Sequence, residues 1–189
     1  MEMNSAQRIE AGRQKVWEAL NDTDVLKASM PGCESFDATS ENTFEARITA
    51  KVGPVKARFK FNVNLYDIDP PNGYTIVGEG QGGAAGFAKG SASVNLTEDG
   101  AATILSYKVK ANVGGKLAQL GARLIDGAAK KMADEFFGNF IAIVVGEAQA
   151  SGESKELKQD TTAQHSGLPV WVWTTAVIVI AAIIYASFA

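Results

Sequence analysis

The chain is poor in the residues that carry most protein chemistry. Among 189 residues there is one cysteine, Cys33, and one histidine, His165. A single thiol excludes an intrachain disulfide, a cysteine-built zinc site and a redox dithiol. His165 sits in a polar stretch close to the C-terminus, so the folded part has no histidine for acid–base work. Charge of either sign is not in excess, with 18 basic against 21 acidic residues. The basic surplus of a nucleic-acid binder is therefore missing. The opening stretch, MEMNSAQRIEAGRQ, has no apolar core and no small-residue cleavage site, so no secretory leader is expected.

Glycine, by contrast, is plentiful, and Gly78, Gly80 and Gly83 spell G-x-G-x-x-G. A dinucleotide fingerprint must end a strand and open a helix, whose N-terminus holds the pyrophosphate. Here AAGFAKGSASVNL follows, and it reads as another strand. The Gly-Gly-Lys at 114–116 is no P-loop either, because Leu117 stands where Ser or Thr is needed.

Most of the chain up to residue 113 alternates. Phe44, Ala46, Ile48, Ala50 and Val52 interleave with Glu45, Arg47, Thr49 and Lys51. After Gly53-Pro54, Val55, Ala57, Phe59, Phe61, Val63 and Leu65 interleave with Lys56, Arg58, Lys60, Asn62 and Asn64. A strict period of two marks antiparallel strands with one buried face. Turns at DPPNG and EDG separate further strands near 74–81, 87–97 and 102–113. RQKVWEALND and TDVLKASM read as two short helices, the second started by Asp22 or Thr23 and stopped by Pro31-Gly32. From Lys116 to Val145, Leu117, Leu120, Leu124, Ala128, Met132, Phe136 and Phe140 recur at helical spacing, which predicts one long amphipathic helix. Asp126, Lys130 and Asp134 lie on its other side, spaced for pairing.

Composition divides the chain into a domain at 1–146, a polar flexible linker at 147–167 and an uncharged segment at 168–189. That last segment would form about 33 Å of helix, enough for a bilayer core. Trp171, Trp173 and Tyr185 stand near its ends, as interfacial aromatics do. The expectation is a single C-terminal membrane span that keeps the large domain on the cytoplasmic side. The expected class is α+β, a helix-grip: a curved antiparallel sheet wrapped around its long C-terminal helix, plus the transmembrane helix.

Within such a sheet, large inward residues occupy one part and very small ones another. The candidate lining is Phe59, Phe61, Ile76, Gly78, Gly80, Ala88, Gly90, Ala92 and Tyr107, with Leu120, Leu124, Ala128 and Met132 from the helix. Either helix and sheet approach closely at the small residues, or an apolar ligand fills the space. Tyr107 is the main hydroxyl in that set. On the outward face, Arg47, Lys51, Lys56, Arg58 and Lys60 cluster around the Gly53-Pro54 turn. They form a docking surface for an acidic partner or lipid headgroups, or an ordinary solvated face.

The stretches QRIEAGRQKVWEALNDTDVLKASMPGCESFD, GEGQGGAAGFAKGSA and GGKLAQLGARLIDGAAKKMADEFFGNF, in this order, resemble the carbon monoxide dehydrogenase G-subunit family. That family belongs to the START-like, helix-grip (SRPBCC) superfamily. The resemblance implies a role in attaching a carbon monoxide dehydrogenase-type molybdenum hydroxylase to the membrane. It supplies no catalytic residues to carry over, and nothing in the chain would ligate molybdenum, iron–sulfur or flavin. Three readings follow. The first is a non-enzymatic carrier that holds a respiratory quinone, menaquinone or ubiquinone, and presents it to the soluble enzyme. The second is an adaptor with no ligand. The third is an enzyme with Tyr107 as acid, set against by the absence of an inward carboxylate pair, since Asp67, Glu79 and Glu98 fall on outward or turn positions. Cys33 reads as a small buried residue.

Overall fold

The computed structural model describes the backbone of residues 1–156 and the side-chain surroundings of residues 1–146. The expected linker beyond 156, His165 and the expected span at 168–189 lie outside the described residues. Among the described residues, no helix is long and apolar enough to cross a membrane.

The alternating stretches pair as expected. Strands β1 (Glu2–Ile9), β2 (Cys33–Ser40), β3 (Thr43–Val52), β4 (Val55–Asp69), β5 (Gly73–Gln81), β6 (Phe87–Asp99) and β7 (Ala102–Gly114) form one sheet in the order β1-β7-β6-β5-β4-β3-β2. Every pairing is antiparallel. Two short helices, α1 (Arg13–Leu20) and α2 (Thr23–Ser29), fill the connection from β1 to β2. Asp22 caps α2 by accepting from the amides of Asp24 and Val25 at 2.8 and 3.1 Å. Gly32 closes the connection at φ +73°, and the Thr49 amide donates to its carbonyl at 2.8 Å. A side chain at Gly32 would collide with the Thr49 carbonyl, so only glycine lets β3 come this near.

The long C-terminal helix differs from the expectation at both ends. Residues Ala118–Leu120 form a separate 3-10 turn, and α3 runs Ala122–Glu156. Gly121 separates them at φ +86°, outside helical backbone. Leu117 is buried against Phe59 and Ala85 instead of continuing the helical stripe. Downstream, α3 continues past residue 146 into the segment whose composition suggests a linker.

Two apolar clusters hold the inner face. The larger joins Ile9, Val16, Leu20, Leu105, Phe137, Phe140 and Val144, so it ties α1 and α3 to the sheet. Phe140 is fully buried there, and its truncation to Ala would cost about 3–5 kcal/mol. The smaller cluster centres on Phe59, Ala85 and Leu117, near the β3–β4 turn. The cross-strand register sets between them a row of small residues, Gly78, Gly90 and Ala111, beside Phe44 and Val63.

Candidate functional site

One row away from those glycines, the inner residues Leu65, Ile76, Ala92 and Val109 stand abreast across β4, β5, β6 and β7. They form the floor of a cavity of about 350 Å³. Met132, Ala133, Phe136 and Phe137 of α3 close it from above, and Leu26, Met30 and Pro31 border it from α2 and the turn that follows. Phe36 and Phe44 complete one side, with their rings 5.6 Å apart.

Only two of the lining side chains are polar, Tyr74 and Tyr107. The Tyr74 hydroxyl donates to the Leu20 carbonyl at 3.5 Å, and burial pushes its pKa well above the ordinary phenol value. Tyr107 is different. Its ring stacks on Phe137 with centroids 5.0 Å apart, but its hydroxyl makes no hydrogen bond among the described residues. The cavity therefore offers an oily volume with one uncommitted hydroxyl.

The expected lining divides into four groups. Ile76, Ala92, Tyr107 and Met132 border this cavity. Phe59, Phe61 and Leu120 belong to the smaller cluster at the other end of the sheet, and Ala88 pairs there with Gly80 and Val113. Leu124 is 49% exposed, with its Cδ1 3.7 Å from where a Gly53 Cβ would stand, and Ala128 is half-buried without reaching the cavity. Gly78 and Gly90 border an open polar trough with Asn62, Glu79 and Lys89. The glycines do not mark the vacancy, because aromatic rings account for part of the missing bulk. The Phe61 ring occupies the place of a Gly80 side chain, and Phe59 does the same at Gly82. Gly90 is confined by β7, at the Lys110 carbonyl and at Ala111. The contributions of Met3, Leu26, Met30 and Phe36 escaped the sequence reading, because they come from the edge strand, α2 and β2, where no small-residue signal points inward.

The five basic residues share one outward face. Arg47 is directly opposite Lys60, and Lys51 opposite Lys56. Arg58 is bound to Glu34 at 2.9 Å and Lys60 to Glu45 at 2.9 Å. The Glu34 carboxyl is held below its ordinary value, first by the Thr49 hydroxyl and then by Arg58. Arg47, Lys51 and Lys56 have no ion-pair partner among the described residues. Cys33 is half-buried, its thiol pushed up by desolvation and donating to the Ser35 carbonyl at 3.3 Å, so it is a poor nucleophile. No group of three His, Cys, Asp or Glu among the described residues is arranged to hold a metal.

A seven-stranded antiparallel sheet closed by a C-terminal helix over an apolar cavity defines a START-like helix-grip protein. Solved structures agree. A conserved protein from Geobacillus kaustophilus is 28% identical, with a TM-score of 0.73 over 77% of this chain and 96% of that one. A START superfamily protein from Mycobacterium smegmatis is 10% identical, with a TM-score of 0.61 over 77% of this chain and 97% of that one. The Zhui aromatase/cyclase from Streptomyces sp. R1128 is 14% identical, with a TM-score of 0.57 over 80% of this chain and 98% of that one. The chain belongs to the carbon monoxide dehydrogenase G-subunit (CoxG) family, whose pattern matches residues 6–145. Comparison with curated proteins yields no match.

Proposed function

We propose that the protein is a membrane-tethered accessory that binds an apolar, lipid-like molecule, a respiratory quinone such as menaquinone or ubiquinone, and supplies it to a carbon monoxide dehydrogenase-type molybdenum hydroxylase. The observation that carries this reading is the cavity of about 350 Å³ with tyrosine hydroxyls as its only polar side-chain groups. Its size lies within the range of small-molecule pockets, at the lower end. Burying isoprenoid surface there contributes about 25 cal/mol per Å². Family membership supports the choice of partner. The uncharged segment at 168–189 supports the tether, with the domain on the cytoplasmic side. The reading is non-catalytic and needs no covalently bound cofactor. The cavity lining holds no carboxylate, lysine or histidine to complement a tyrosine acid.

Organic extraction of the purified full-length chain, followed by mass spectrometry, tests the carrier role. An isoprenoid quinone recovered near one per chain is the expected result. A chain recovered empty that also fails to take up quinone in titration overturns it.

One observation favours the ligand-free adaptor: Phe61 over Gly80 and Phe59 over Gly82 account for part of the small-residue region without any guest. In that case the tether and the basic face would recruit the enzyme alone. Blocking the cavity would then leave recruitment and electron delivery unchanged.

A further inference from the structure

A second hollow, of about 420 Å³, lies between β1 and the first turns of α3. Its chemistry is the opposite of the first. The Met1 terminus, Glu2, Asn4, Ser5, Asp126, Lys130 and Asp134 line it. Met3 and Tyr107 line both hollows, so the oily cavity and the polar cleft share a wall made of one flexible thioether and one phenol.

We propose that this cleft receives the polar head of an amphipathic ligand whose hydrocarbon tail fills the apolar cavity, and that the head is neutral and bears carbonyl oxygens. The inference rests on the carrier reading and specifies its ligand further. Besides Asn4, Ser5 and the Met1 ammonium, which already donates to the Ala111 carbonyl at 2.8 Å, the hollow holds two further donors. The Tyr107 hydroxyl has no partner among the described residues, and its ring is oriented by the stack on Phe137. Lys130 brings an ammonium, whose Nζ already donates to Asp134 at 2.7 Å and has further protons to give. Both are matched by acceptor oxygens. An anionic head is disfavoured, because the carboxylates of Glu2, Asp126 and Asp134 outnumber the ammoniums of Lys130 and Met1 there. β1 is an edge strand, so the cleft lies at the margin of the sheet. A head held there would be open to a soluble enzyme while the tail stayed covered.

The experiment uses the full-length chain in detergent micelles and three probes: menaquinone-4, the headless hydrocarbon squalene and the anionic geranylgeranyl phosphate. Tyr107→Phe keeps the aromatic stack, and Lys130→Gln alters an exposed position. Unfolding midpoints equal to the parent establish that both variants are folded. Each substitution is expected to weaken menaquinone-4 binding about three- to tenfold, the loss of one hydrogen bond, and to leave squalene binding within about twofold. The parent chain should bind geranylgeranyl phosphate more weakly than menaquinone-4. Unchanged menaquinone-4 affinity in both variants, or tighter binding of the phosphate, overturns the head site while leaving the carrier reading intact. A parent chain that takes up neither menaquinone-4 nor squalene removes the carrier reading and this site with it.

Discussion

The ring of Phe61 lies over Gly80, its direct partner on the neighbouring strand, in the space a Cβ would need. The arrangement recurs at Phe59 over Gly82 and at Phe87 over Gly114. An aromatic ring covering a cross-strand glycine protects exposed backbone and pins register. Gly80→Ala should therefore displace the ring and cost about 1–3 kcal/mol. Gly78→Ala meets its nearest atoms only at 3.7 and 3.8 Å, an ordinary contact, and should stay within about 0.5 kcal/mol of the parent. Urea unfolding of the two variants side by side checks the contrast. Equal stabilities would show that the ring is not held by the glycine.

Ala92 is central to the cavity floor, between Ile76 and Val109 on the flanking strands. Ala92→Phe would fill the vacancy that the carrier reading requires. Menaquinone-4 uptake is expected to fall by more than about tenfold, with the overpacking cost held to roughly 1–3 kcal/mol because the ring enters empty space. Titration with menaquinone-4, read beside circular dichroism, separates lost binding from lost fold. Retained uptake in a folded variant would locate the ligand elsewhere.

Tyr74 gives the fold an alkaline limit. Burial raises its folded-state pKa above the unfolded value of about 10. Below that value both states hold the proton and the stabilisation is complete. Above it the unfolded chain releases the proton first, so stability falls as pH rises toward the folded-state pKa. The unfolding midpoint should therefore drop between about pH 9.5 and 11.5. In Tyr74→Phe the slope should be shallower over the same range. Parallel slopes in parent and variant would assign the alkaline loss to other groups.

The outward face of β3 and β4 carries Arg47, Lys51 and Lys56 without ion-pair partners among the described residues, unlike Arg58 and Lys60. Reversing all three to Glu should reduce co-purification of the partner enzyme several-fold at low salt and have less effect as screening grows. Because these side chains are on the solvent face, stability should change by no more than about 0.5 kcal/mol per site. Co-purification that is unaltered across the salt series would leave the face as ordinary solvated surface.

The alternation along β3 and β4 and the start of α2 at Asp22 or Thr23 were legible in the chain itself, because each depends on neighbours a few residues apart, and the structure assigns the cap to Asp22. The amphipathic spacing of Phe136 and Phe140 also announced a helix, but its start did not follow from spacing. Gly121 turns to positive φ, and Leu117 leaves the helical stripe for a contact with Ala85. The stripe of small residues drew attention to the glycines, one row from where the cavity opens. Side-chain volume can be counted along a strand, but whether a neighbouring ring fills the gap depends on register.

The sequence by itself determined the class of fold, the family and the expectation of an oily interior, since periodicity, turn chemistry and extended resemblance are all properties of the linear chain. Only the tertiary structure decided where that interior is empty and which side chains meet at its edge. Met3 and Tyr107 are separated by most of the domain's length, yet both line the same two hollows. That neighbourhood exists because the β1–β7 ladder brings the first and last strands of the chain side by side, and no local pattern encodes a pairing over such a distance.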